Sequence, residues 1–363
     1  MRKNFLWLFL LCFVVFVKEA NAWSNVFKEV IDSYVYHVEV ENLAIATLKG
    51  LQKVDKKLRV GNDLSRITLY YEGKVIKVQR KPDDNKNIFA WGDITNQFID
   101  AAIEKSTIAA ERDFEIVDIL ASEMIKILDK DTSFYKDIDE ASNIGLRNKR
   151  TFASRQEDGI LYIKIAAFNK QTVTELKNIL ESIDDIRALI IDLKGCPGGM
   201  TGEAILAVDL FLDKGIIAST RGRNKNEETY YSAVDENFWN LSPIFILVDG
   251  DTASSAEIFA VALQEQGLAK VIGTKTKGKG SMQKLIKLET GSVLAVTNGF
   301  FYSPAANNLD GVGVKPDVCT FEMLENKDIA NLLKQQNGSC MAESREDTNF
   351  EENVALFMLK QNL

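Results

Sequence analysis

The side chains best suited to covalent chemistry lie between Pro243 and Gln283. Ser254 and Ser255 follow a strand-like run, Ile244–Val248, and a tight turn, Asp249-Gly250-Asp251-Thr252; a helical run behind them stops at Gly267. A helix N-terminus carries unpaired backbone N–H groups and a partial positive charge. A serine there can gain an oxyanion hole from its neighbour's N–H, which is what acyl transfer requires. Helix capping accounts for the same two serines, since Ser is a favoured N-cap. Lys279, between Gly278 and Gly280, is the second candidate. A neutral lysine can take the proton of a serine, provided burial brings its pKa from ~10.4 toward ~7. A solvated turn lysine is the competing reading. Pro197-Gly198-Gly199 closes a strand and precedes a helix, so its backbone N–H groups suit a second oxyanion donor, or it is an ordinary strand-to-helix turn.

Other chemistries fit less well. His37 is the only histidine in the chain, which leaves histidine-dependent triads and histidine-rich zinc sites a single candidate in a Tyr34-Val35-Tyr36-His37-Val38 context typical of packing or surface residues. With histidine unavailable, lysine is the best remaining base. Gly273 to Gly280 nearly fits the phosphate-binding G-x-x-x-x-G-K-[ST], but glycine stands where the Mg²⁺-binding hydroxyl belongs and a β-like run follows in place of a helix. Ser281-Met282-Gln283-Lys284 matches a bare S-x-x-K without the partner motifs S-D-N and K-T-G. We expect no metal and no nucleotide cofactor.

The elements that must position these residues alternate. Ile160–Phe168 reads as a strand, Gln171–Ile186 as a helix, Ala188–Leu193 as an apolar strand, Thr201–Leu212 as a helix and Ile216–Ser219 as a strand. Lys270–Ile272 is a further strand, and beyond Lys279 the pattern becomes β, with Leu285–Leu288 and Val293–Tyr302. Alternation of this kind predicts an α/β core with parallel strands. Upstream, Phe27, Val30, Ile31 and Tyr34 have helical spacing, as does about Leu43–Val54. Asp93 is expected to cap a helix through about Ala110, and Asp113 the next, with Val117, Leu120, Met124 and Leu128 on one face. Ile67–Tyr71 and Lys74–Val78 around Glu72-Gly73 suggest a hairpin. The expected organisation is a leader at 1–22, a mostly helical region at 23–150, an α/β core at 151–325, and a tail at 326–363 ending in a helix from Phe350 to Leu359.

The leader has three parts: Arg2 and Lys3, an apolar run from Phe5 to Val17, and the small-x-small triplet Ala20-Asn21-Ala22. That is a secretory signal pattern, and the run is short for a bilayer, which takes ~20 residues. It predicts an exported, periplasmic or extracellular protein. Loss of residues 1–22 takes the net charge from −8 to −10. An acidic chain without a basic stripe argues against nucleic acid as a partner. Cys12 leaves with the leader; Cys196, Cys319 and Cys340 remain. Export permits a Cys319–Cys340 pair across a short loop, and three independent thiols is the equal alternative.

Taken together these stretches resemble the C-terminal processing peptidases, or tail-specific proteases, exported serine proteases with a Ser-Lys dyad. Leu189–Leu212, with Asp192-Leu193-Lys194 and Pro197-Gly198-Gly199, resembles the family's strand–"LRxNPGG"–helix segment. Val248–Glu257 resembles its [ST]-A-S-A-S-E turn, Gly278–Gln283 its "GKGxxQ", and Asp310–Asp317 its "GxGIxPD". Leu128–Tyr135 is a weaker match to "LDPHSxYL". The resemblance implies a crotonase/ClpP-like mixed sheet with flanking helices, Ser254 as nucleophile, Lys279 as base and Gln283 orienting the lysine amine. It implies an oxyanion hole from the N–H of Ser255 and of Gly198 or Gly199. It also implies protein or peptide substrates with flexible C-termini, and leaves room for a homo-oligomer or a regulatory partner. The chain departs from the family at Ser255-Ala256, which stand where Ala then Ser are usual, and at Gly195-Cys196, which replace a more polar pair. Ser255 is therefore the lesser candidate nucleophile. Only about two dozen residues separate Tyr135 from Gly159, too few for the family's PDZ domain. A PDZ-less, catalytically inactive protein that binds peptide tails is the alternative.

Overall fold

The computed structural model describes residues 22–142, 152–182, 185–224, 228–234, 243–321, 329–334, 339–344 and 349–361. The expected leader, apart from Ala22, lies outside the described residues. No helix among them is long and apolar enough to cross a membrane. The chain divides into two compact units, residues up to Asp32 with His37–Leu128, and Ser33–Tyr36 with Asp129 onward.

The first unit holds α1 (Ala22–Ser33), α2 (Val40–Lys49), α3 (Leu51–Val54), α4 (Ile88–Lys105), α5 (Thr107–Glu111) and α6 (Ile116–Met124). It also holds an antiparallel sheet of β1 (Leu58–Asn62), β2 (Arg66–Tyr71) and β3 (Lys74–Arg80). The expected hairpin is β2–β3, closed by Glu72 and Gly73 at φ 49° and 78°, the paired left-handed turn that matches strand twist. Phe27, Val30, Leu43, Trp91, Phe98 and Leu120 are buried. Two expected caps are corrected. The α4 cap is Asn87, whose side chain accepts from the Ala90 N–H at 3.0 Å, so Asp93 lies within the helix. Trp91 extends the buried stripe one turn upstream of Ile94 and Phe98, which is why the helix starts early. Ser106 then ends α4 and caps α5 through the Ala109 N–H. Asp113 precedes α6, which begins at Ile116 behind Glu115.

The second unit is built on a six-stranded sheet ordered β14 (Val318–Cys319), β11 (Ala269–Gly273), β10 (Ile244–Val248), β7 (Ala188–Asp192), β6 (Ile160–Ile165), β5 (Phe152–Glu157). All neighbours are parallel except β5, which is antiparallel to β6. Side-chain alternation sends Leu161, Ile163, Leu189, Ile191, Ile244, Ile246 and Val248 to one face. There they pack against α8 (Thr172–Ser182), α9 (Thr201–Asp209) and α10 (Ser255–Glu265), through Leu176, Val208 and Phe259. The other face, with Tyr162, Ile190, Phe245 and Leu247, is covered by Phe350, Val354 and Met358 of α12 (Phe350–Gln361). Burial on both faces explains the near-continuous apolar runs that the sequence displayed.

A second sheet orders β12 (Ser281–Lys287), β13 (Val293–Tyr302), β8 (Ile216–Arg221) and β9 (Glu228–Ser232), with β4 (Ser133–Tyr135) also paired to β13. Short helices α7 (Ile138–Ser142) and α11 (Ile329–Lys334) complete the unit. Mixed sheets with flanking helices in this unit, and a mostly helical N-terminal region, are the fold class expected. Cys319 and Cys340 form a disulfide, and Cys196 is a buried free thiol.

Phe259 stands between the rings of Phe168 and Phe211, at centroid distances of 5.8 and 6.2 Å. Phe259→Ala should cost about 3–5 kcal/mol, read as an earlier midpoint in urea denaturation.

Candidate active site

Parallel strands place their outgoing loops along one edge, and open α/β sheets bind ligands at the carboxyl ends of strands. Leu247 pairs with Asp192 and Val248 with Gly273. The loops after β7, β10 and β11 therefore leave the sheet side by side. They are the three stretches singled out in the sequence.

Ser254 stands at the N-cap of α10 with φ 57° and ψ −121°. That left-handed geometry is an outlier for a non-glycine residue and costs about 1–3 kcal/mol. It persists because the surroundings fix it. The Ser254 N–H donates to Glu257 Oε2 at 2.7 Å, the acidic half of a capping box. The same oxygen accepts from the Lys279 N–H at 2.9 Å. Glu257 Oε1 accepts from the Thr276 hydroxyl at 2.5 Å and the Gly278 N–H at 2.7 Å. One buried carboxylate thus holds the serine turn and the lysine loop together. Burial pushes the Glu257 carboxyl above its ordinary range, and the four donors act in the opposite direction.

A second buried carboxylate ties in the loop after β7. Asp249 Oδ1 accepts from the Gly195 N–H at 2.9 Å and from the Thr252 N–H at 2.9 Å. The Thr252 hydroxyl reaches Leu193 O at 2.9 Å, and the Ala253 N–H donates to Cys196 O at 2.9 Å. Gly198, at φ 96°, then lies directly against the serine turn. A Cβ there would stand 2.7 Å from Ala253 O and 2.9 Å from both Ser254 Cβ and Ser255 N, so only glycine permits the approach. Gly198 O accepts from the Phe168 N–H at 2.9 Å. The Gly199 N–H shares that trans peptide plane and points the other way.

The two serines have different fates. Ser254 is partly exposed, whereas Ser255 is fully buried. The Ser255 hydroxyl donates to Gly199 O at 2.9 Å, which occupies its proton in holding the glycine loop. Lys279 is also partly exposed. Its loop is seated on the turn after β13: a Cβ on Gly280 would stand 2.3 Å from Asp310 N. The Gly280 N–H donates to Asp310 Oδ1 at 3.2 Å. Burial raises the Asp310 carboxyl, and the charge of Asp131 adds to the rise. Gln283 lies two residues beyond Ser281 in β12, the strand that follows the lysine loop. Its Nε2 donates to Asp131 O at 3.1 Å and contacts Ser281 Oγ at 3.4 Å.

The remaining candidates settle differently. His37 is exposed and bonded to Glu39 at 2.7 Å. The stretch from Gly273 to Gly280 runs into β12, a strand, as expected of an accidental phosphate-loop match.

Residues 159–320 match Peptidase family S41. The carboxy-terminal-processing protease of Bartonella bacilliformis is 35% identical over 179 residues, 48% of this chain and 41% of that protein. The chloroplastic carboxyl-terminal-processing peptidase 3 of Arabidopsis thaliana is 29% identical over 181 residues, 49% of this chain and 35% of that protein. The matched part therefore spans less than half of either relative. Among solved structures, a lipoprotein from Streptococcus agalactiae superimposes with a TM-score of 0.50 over 78% of this chain and 93% of its own, at 16% identity. That likeness concerns the fold.

Sequence reasoning did not single out Glu257 or Asp249. The first was detectable as the acidic end of Ser254-x-x-Glu257, a capping box. The second had only a turn-forming Asp-Gly as its signal.

Two measurements test the site's framework. Glu257→Gln replaces an acceptor by an NH₂ facing N–H donors, and should cost about 3 kcal/mol or more, seen as a lower Tm. Cys196, under the glycine loop, has its thiol pushed up to about 12 by burial. It should resist iodoacetamide at pH 8 in the native protein and react only after unfolding, as mapped by peptide mass spectrometry.

Proposed function

We propose that this chain is an exported serine endopeptidase that cuts proteins near flexible C-termini through a Ser254–Lys279 dyad. The observation that carries the reading is the Glu257 bracket. One carboxylate oxygen accepts from the N–H of Ser254 and from the N–H of Lys279, the two residues that the family resemblance pairs. The S41 match and the names of the curated relatives support peptidase chemistry.

In this reading an extended substrate lies as an added strand beside the sheet, with side-chain pockets setting preference. Lys279 Nζ takes the Ser254 proton as Oγ attacks the scissile carbonyl. The tetrahedral oxyanion is held by the N–H of Ser255 and by that of Gly198 or Gly199, on the close approach of the two loops. Collapse expels the new N-terminal amine, which takes the proton back from Lys279. Water, deprotonated by Lys279 Nζ, then attacks the acyl-enzyme carbonyl, and the acid is released as the proton passes from Lys279 to Ser254 Oγ. Gln283, anchored through Nε2 to Asp131 O, has its amide oxygen left to orient the lysine amine. Ser255 contributes its N–H, while its hydroxyl stays bound to Gly199 O.

The test is cleavage of an unfolded protein substrate, with products identified by mass spectrometry. Ser254→Ala and Lys279→Ala should each lose nearly all activity, because such residues act as a unit. Ser255→Ala should retain the greater part of it. Full activity in either of the first two variants would contradict the dyad.

A further inference from the structure

We propose that residues 340–344 are a positioning strap for the serine turn, held in register by the Cys319–Cys340 disulfide. The inference rests on the peptidase reading above. Strand β14 pairs with β11 so that Cys319 faces Gly273, and the disulfide therefore delivers Cys340 to the carboxyl end of β11. From there the chain crosses both catalytic loops. Met341 O accepts from the Lys275 N–H at 3.1 Å. Glu343 O accepts from the Gly250 N–H at 2.7 Å and from the Thr274 hydroxyl at 2.7 Å. The Glu343 N–H returns a bond to Thr274 Oγ1 at 3.3 Å, and the Ser344 hydroxyl bonds Asp251.

A single carbonyl, Glu343 O, thus joins the turn that leads to Ser254 and the loop that leads to Lys279. Glu257 joins the same two segments further along. The fit is close: a Cβ on Gly250 would stand 2.7 Å from Glu343 N. Thr274 is fully buried, so its hydroxyl depends on a protein partner. Apart from the Ser344 hydroxyl, the strap binds through main-chain atoms, so its register is set by where it is tethered. The tether spans a sequence separation of 21 residues, and opening such a link returns chain entropy to the released segment. Misplacing a catalytic group by about 1 Å can cost ~100-fold in rate, which makes the strap a positioning element for Ser254.

Two variants leave the catalytic residues untouched. Cys319→Ala with Cys340→Ala removes the tether; Thr274→Val removes two strap bonds with little change in shape. Each should lower kcat about tenfold or more with KM little changed, and speed amide hydrogen exchange across residues 249–257. Thr274→Val decides the matter if the double variant does not fold. Unchanged kcat, or unchanged exchange, in a folded variant of either kind overturns the strap. A wild-type protein that cleaves no substrate overturns the peptidase reading instead, and exchange alone then reports on the strap.

Discussion

The Glu257 carboxylate is the constraint on which the arrangement depends. It is fully buried, and a buried charge is tolerated only when its lone pairs are filled. Four donors fill them, from the serine turn and from the lysine loop. Charge-assisted bonds of this kind contribute about 1.5–3 kcal/mol each. That is enough to offset the strained φ of Ser254, a partly exposed N-cap residue. The strain and the bracket are thus two sides of one design: the carboxylate compels the turn, and the turn presents the serine.

The sheet supplies the rest of the positioning. Strands β7, β10 and β11 are parallel and in register, so their following loops are neighbours without any long-range device. Asp249 ties the first to the second through Gly195. Phe168 holds the glycine loop from its other side through Gly198 O and the Met200 N–H. Lys194, just before that loop, forms a buried ion pair with Glu351 of α12 at 3.2 Å. The helix that covers the far face of the sheet is thereby connected to the site.

Much of this was legible beforehand. The apolar runs Ala188–Leu193 and Ile244–Val248 announced buried parallel strands, and Val293–Tyr302 matches β13 residue for residue. Ser254, Lys279 and the Pro197-Gly198-Gly199 turn were singled out from residue type and spacing. What stayed hidden was set by tertiary contact. Asn87 rather than Asp93 capped α4 because Trp91 had a core to enter. The burial of Ser255 and the bond of its hydroxyl to Gly199 O are likewise tertiary, and the Ser-Ser pair displays neither. The cysteine pairing was open because strand β14 is only two residues long and gives no periodic signal.

The most direct measurement is the site of covalent capture by a serine-directed fluorophosphonate, located by peptide mass spectrometry of the folded protein. The account predicts a single adduct on Ser254, lost in Lys279→Ala. An adduct on Ser255, or labelling of Ser254 that is indifferent to Lys279, would contradict it.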